Sequence, residues 1–448
     1  MALTVTNPKG VNASTWFPSN NDLEYTLSST QSAVNGFYYL VDVYVNDTKV
    51  ITLRKYPIQG VTTRVNVKDI VNAYIDSDFS IGYYIGLSDW NTAAKKEYAK
   101  FNIIVTEWYS GEDRESVTTL PMYAWNAAAQ FQDEKFGTQL YWRNFTFDHG
   151  RSRLGRPMGK HFAIDNTPFF VLPRSGDGYY YLAEQYRKHC YRIARGDRRE
   201  LSIFCGDDLS RNTELNSLVA YGMDENFKLI KKAVKLISTT ANNADRHWVN
   251  FILSGGTESN WDRKYMTGQA DAFTNMSDCK YIYYLFEKFD GSGLVVESRG
   301  SDGVLYEICD TAESWSILYK SHEGGWSNIL CNPRITESTE IKTVTRQNVN
   351  PTAVNWAANS RLVSAVNVTA RGSWTMNTDW IGDEINEDVK DMLQSPQLYI
   401  QHFKGGNIEY IPVTLADATY ITRERNDVNL FRYTFEFIES FYKTAIRR

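Results

Sequence analysis

Leu430-Phe431-Arg432-Tyr433-Thr434-Phe435-Glu436-Phe437 alternates without a fault. Phe431, Tyr433, Phe435 and Phe437 fall on one side of an extended chain, and Arg432, Thr434 and Glu436 on the other, the signature of a strand with one face in a core. Two further extended runs precede it, 397–403 and 408–415, joined by Lys404-Gly405-Gly406-Asn407. A pair of glycines between such runs is hairpin chemistry, because the tight turns that suit twisted strands need positive φ. Upstream, Ile385, Val389, Met392 and Leu393 recur at helical spacing behind the acidic Asp383-Glu384. Ser395-Pro396 ends that helix, since proline has no amide hydrogen to donate and disfavours the α conformation before it. Residues 336–448 are therefore expected to form a small α+β domain.

The same alternation governs the beginning of the chain. Tyr39, Val41, Val43 and Val45 alternate with polar partners, Asn46-Asp47-Thr48 turns, and 50–54 returns. A third strand is expected over 61–67, a short helix over 69–75 and a long strand over 101–108. Ser110-Gly111-Glu112-Asp113 is a turn and a candidate boundary, which makes 1–112 a β-sandwich. Strands recur at 281–286, 294–297, 304–309 and 315–320 with glycine turns between them, so 241–335 reads as a second sandwich-like domain. The intervening 113–240 is mixed: 122–131 is alanine-rich and helical in expectation, 162–172 resembles paired strands, 179–195 is helix or strand, and 228–237 is amphipathic and basic. The fold class is thus mainly β with α+β elements, in two or more sandwich-like domains plus the C-terminal unit.

Composition narrows the function classes. The chain has 448 residues, 42% hydrophobic and 23% charged, which is enough for several packed cores and argues against global disorder. Aromatic residues reach 14%, a bias that favours pleated surfaces and large interfaces. A net charge of −5 gives no whole-chain attraction to nucleic acid. Five cysteines without CxxC spacing point to free thiols rather than a disulfide framework or a zinc site. Met1 to Gly10 has neither the charged nor the apolar region of a secretion signal, and no apolar run is long enough to span a membrane.

No motif carries chemistry. GxxxxGK[ST], a strand-bound GxGxxG, GxSxG and HExxH are all missing, so no catalytic, cofactor or metal residue is assigned and the chain is read as a non-enzyme. Asp207-Asp208 could supply half of a hydrolytic site, since two carboxylates can divide acid and base roles, but an exposed loop explains the pair more simply. Trp326, Trp374 and Trp380 could stack on sugars or fill cores. Residues 151–200 hold eleven lysines and arginines against five acids, with tyrosines interleaved. Arg151, Arg153, Arg156, Arg187, Lys188, Arg192, Arg195, Arg198 and Arg199 therefore form a candidate patch for assembly or anion contact. A solvated or subunit-facing surface is favoured over nucleic acid, because neither an RRM nor an OB signature accompanies the charges.

Three stretches carry a family resemblance. Val43-Tyr44-Val45-Asn46-Asp47-Thr48-Lys49-Val50, then Leu53-Arg54-Lys55-Tyr56-Pro57 and 65–74, resembles the N-terminal module of tail and baseplate-type virion proteins. Ile317 to Trp326, with its Gly324-Gly325-Trp326, resembles their mid-chain segment, although Ser327 stands where Asp or Asn is usual. The ending, with Leu393-Gln394-Ser395-Pro396, Ile411-Pro412-Val413 and Tyr433 to Phe437, is similar to theirs as well. The family is that of structural proteins of tailed phages infecting Bacteroidetes, the crAss-like phages. The resemblance implies a tail, neck-ring, baseplate or fibre-attachment subunit, made in the host cytoplasm and located in the virion. It implies homo-oligomers, a ring above all, with other virion proteins as partners and no cofactor. A carbohydrate-binding or receptor-binding surface protein is the alternative.

Overall fold

The computed structural model describes residues 3–8, 16–57, 62–76, 91–93, 96–128, 191–204, 217–226, 229–236, 248–258, 261, 263–265, 275–289, 295–300, 304–322, 325–347, 363–378, 381, 383–416, 421–425, 430–441 and 443–444. The fold is mainly β: strands dominate these residues, and only two helices occur among them. Neither helix is long and apolar enough to cross a membrane. The chain divides into two compact units, 1–310 with 320–327, and 311–319 with 328–448.

The first unit begins with a sandwich. Its strands are β1 (Thr4–Thr6), β2 (Trp16–Pro18), β3 (Glu24–Ser28), β4 (Tyr38–Val45), β5 (Thr48–Lys55) and β6 (Thr62–Asn66). Helix α1 (Lys68–Asn72) follows, then β7 (Asn91–Ala93), β8 (Tyr98–Tyr109), β9 (Glu112–Thr118) and β10 (Met122–Trp125). One sheet has the order β1-β3-β6, and the other β2-β10-β8-β4-β5 with β9 on β8. The strict alternation of β4 and β8 sends Val41, Val43, Val45, Phe101, Ile103 and Val105 inward. They meet Tyr25, Leu27 and Val65 from the other sheet, and Leu23 just before β3, in one core.

The hairpin expected at Asn46-Asp47 is present, with both residues at positive φ (50° and 62°) and Val45 opposite Thr48. Ser110-Gly111, the candidate boundary, is instead the tip of a second hairpin: β8 and β9 pair from Ile104↔Thr118 to Tyr109↔Glu112. The helix expected over 122–131 is a correction. Its first four residues are strand β10, held between β8 and the parallel β2. Met122 and Ala124 are buried at a spacing of two, so the vacant place beside β8 outweighed the alanines' helical preference.

The same unit contains β11 (Tyr191–Ala194), β12 (Arg199–Phe204), β13 (Ser217–Met223), β14 (Leu229–Leu236) and β15 (Trp248–Leu253). It continues with β16 (Arg263–Tyr265), β17 (Tyr281–Phe289), β18 (Val295–Gly300) and β19 (Val304–Cys309). Seven of these strands form one sheet, in the order β11-β19-β17-β13-β14-β16 with β18 on β17. A smaller sheet runs β12-β15-β7. The described part of 179–195 is therefore strand, and the amphipathic basic run at 228–237 is strand β14. The paired strands expected over 162–172 lie outside the described residues.

The remaining elements are β20 (Glu313–Lys320), β21 (Trp326–Cys331), β22 (Thr336–Gln347) and β23 (Val363–Asn377), helix α2 (Asp383–Gln394), and β24 (Leu398–Lys404), β25 (Asn407–Leu415), β26 (Ile421–Arg425), β27 (Leu430–Glu439) and β28 (Lys443–Thr444), which belong to the second unit except for Lys320, Trp326 and Ser327. The nine strands make one sheet, β21-β20-β24-β25-β27-β23-β22, with β26 on β27 and β28 on β23. Cys331, at the end of β21, bridges Thr378 just past β23, and the Asn332 amide donates to the Asn377 carbonyl at 2.8 Å. The wall thus curls back on itself. Phe435, Phe437, Ile317, Ile400 and Met376 line its inside, and α2 adds Val389 and Met392 to that core. The Gly405-Gly406 turn has φ of 56° and 87°, with Lys404 opposite Asn407, as the glycines required.

Candidate assembly interface

Strand β22 is the outermost strand of the nine-stranded sheet. Its sequence, Thr336-Glu337-Ser338-Thr339-Glu340-Ile341-Lys342-Thr343-Val344-Thr345-Arg346-Gln347, is rich in β-branched residues yet has no apolar face. That combination forms a strand without a core to lie on. Every residue from Thr336 to Arg346 is exposed, Ile341 at 63% and Val344 at 59%. Pairing to β23 holds it across twelve register positions, from Thr336↔Thr375 to Gln347↔Val363, with a bulge between Val344 and Thr345. Among the described residues no strand covers its other side.

The ribbon is anchored at its base. The buried Glu439 carboxylate accepts the Gly372 amide hydrogen at 2.9 Å, and Arg371 Nε donates to the Glu439 carbonyl at 2.7 Å. A side chain at Gly372 would lie 2.9 Å from the buried Trp374 ring, so this close approach requires glycine. Ser338 and Ser373 hydroxyls meet across the pair at 2.7 Å. Further out, Glu340 and Lys342 form an exposed ion pair at 3.2 Å on one face. The result is a long, firmly rooted edge whose outward backbone amides and carbonyls are available to another strand. Charges such as Glu340 and Lys342 are the usual guard against indiscriminate pairing at such an edge.

The basic patch is placed only in part. Arg151, Arg153, Arg156, Arg187 and Lys188 lie outside the described residues, as do Asp207, Asp208 and Trp380. Arg192 on β11 pairs with Glu307 on β19 at 3.2 Å, and Lys280 reaches the same carboxylate at 3.0 Å. Burial pushes the Glu307 carboxyl up, but these hydrogen bonds outweigh it and hold the group below its usual range. Arg195 bonds Asp310 at 2.5 Å and the Ser277 carbonyl; its hydrogen bond holds the Asp310 carboxyl low. Arg199 is buried against Asp197 at 2.9 Å, and Asp197 also accepts the Arg198 amide hydrogen at 2.8 Å. Arg192, Arg195 and Arg199 therefore have carboxylate partners inside their own unit.

Tryptophan divides between core and surface. Trp326 and Trp374 are buried, which makes them core plugs rather than sugar platforms. A different aromatic group stands on the outer face of the first sandwich. Tyr38 stacks on Trp108 with centroids 4.6 Å apart, and the Arg54 guanidinium lies 4.1 Å over the other side of Tyr38. Tyr56 completes the group and is 58% exposed. Neither this stack nor β22 stood out in the sequence. The β4–β5 turn register, which sets Leu40 against Arg54, was the signal for the stack. The threonine-rich run of 336–345 was the signal for β22.

No protein-family model matches the chain, and no curated protein matches it.

Proposed function

We propose that the chain is a structural subunit of a tailed-phage virion, acting by docking against neighbouring subunits rather than by catalysis. The observation that carries the assembly part is the exposed edge of β22, twelve residues long and rooted in a buried base. Soluble proteins usually keep such edges short or cover them, so a long open one marks a surface waiting for a partner. The virion setting comes from the resemblance of the N-terminal, Gly-Gly-Trp and C-terminal stretches to tail and baseplate-type proteins. Within such a particle the position is that of a ring, neck, baseplate or fibre-attachment subunit. Mass spectrometry of purified particles tests the setting: the chain should be present in stoichiometric amount, and its absence would remove the reading.

A carbohydrate-binding or receptor-binding surface is the second reading, and Tyr56, 58% exposed beside the half-buried Trp108 and the buried Tyr38, favours it, because exposed rings bind the apolar faces of sugars. A glycan array answers it. Binding that disappears with Trp108→Ala supports this reading, and an array without any binder removes it.

A further inference from the structure

We infer that the strand seated on the free edge of β22 is β22 of a second copy, antiparallel, about a two-fold axis at Ile341. This names the partner of the assembly surface and rests on the assembly reading above. In a symmetric antiparallel pair each residue faces its mirror position about the axis, and facing residues share a side of the sheet. Centring on Ile341 sets Ile341 against Ile341, Thr339 against Thr343 and Ser338 against Val344. It also sets Glu340 against Lys342 twice, once on each side of the axis.

Neighbouring centres do worse. Centring on Glu340 opposes two carboxylates, and centring on Lys342 opposes two ammonium groups, both unfavourable in cross-strand positions. Centring on Thr343 recovers Glu340 against Arg346 but runs through the bulge between Val344 and Thr345, where the pleat is broken. The window 338–344 lies wholly in the regular part of the strand. It buries Ile341 and covers Val344, the two exposed large hydrophobic residues on this strand. The charges that discourage random pairing thus select one partner, the strand itself.

Sedimentation velocity on the full chain tests this with paired charge variants. Glu340→Lys would oppose lysines and Lys342→Glu would oppose glutamates, so each alone should weaken self-association by at least about tenfold. Mixing the two variants in equal amounts restores opposite charges at both positions and should return association to the wild-type level. The double variant, E340K with K342E, remains self-complementary and should also associate. These side chains are exposed and their own ion pair contributes little to folding, so melting at a dilution where every variant is monomeric should match wild type. A wild-type chain that stays monomeric overturns the inference, and so do single variants that associate as wild type does. In either case the virion reading stands or falls on the particle composition, a separate measurement.

Discussion

Lys320 Nζ lies 2.6 Å from Glu97 Oε2, and 4% and 1% of the two side chains remain exposed. The residues are 223 positions apart in the chain, yet both belong to the first unit. The Trp326 ring lies 5.5 Å from the same ammonium. Such a pair is costly to bury and more costly to break, since removing one partner strands the other charge in a low-dielectric interior.

Glu97→Ala should therefore destabilise the first unit by about 3–5 kcal/mol. Replacing both residues with methionine should recover most of that loss, because neither charge is then left alone. Urea denaturation of wild type and these two variants gives the comparison. Equal losses in the single and double variants would show that packing, not charge, dominates there.

Glu258 supplies a pH dependence. Burial raises its carboxyl above the ordinary value, although the Ser254 amide at 2.6 Å and the Tyr284 hydroxyl at 2.9 Å favour the ionised form. A raised carboxyl contributes stability that is complete below the unfolded value of 4.5 and is lost as pH rises through the folded one. Glu258→Gln cannot ionise. Its stability relative to wild type should rise as pH increases from about 4 to about 8, measured by urea titration at each pH. A difference that does not vary with pH would mean the folded carboxyl titrates normally.

Ser110 holds φ at 57° in the β8–β9 hairpin, a region costly for any residue with a Cβ. Ser110→Gly should stabilise the first unit by up to about 1 kcal/mol, and Ser110→Val should destabilise it by more than that. Melting temperatures in the order glycine, serine, valine check the claim, and a flat series refutes it.

Phe435 is fully buried in the second unit, while Glu436 beside it is exposed. Phe435→Ala should cost about 3–5 kcal/mol. Glu436→Ala should fall within about 0.5 kcal/mol of wild type. Guanidinium denaturation of both variants tests whether the alternation read in this strand also sets its energetics.

Where one face meets a core, the sequence was legible. The β4–β5 hairpin, β8, α2 and the β24–β25 hairpin all stand within a few residues of their expected places, because burial imposes a period and turns demand particular residues. Legibility failed where position in a sheet decides the outcome. The run 122–125 is a strand because a place beside β8 needed filling, which no local pattern encodes. Nor does local pattern reveal that β19 and β20, separated by a few residues, join different sheets. The candidate interface was hidden for the opposite reason. β22 is exposed along its length, so it has no hydrophobic period to read. Of the basic patch, charge counting found the arginines and Asp197 but could not find Glu307 and Asp310, which lie close to them only in the folded chain.

The place of β27 constrains how the second unit can be made. This strand lies between β25 and β23, so residues 430–439 join the ribbon of 336–377 to the wall formed by 313–331 and 398–415. Both halves are therefore synthesised before the strand that lies between them. Chains interrupted ahead of residue 430 should keep, among the described residues, only the backbone contact at Cys331 and Thr378 between ribbon and wall, and their unpaired strand edges should make them prone to clumping rather than a smaller working unit.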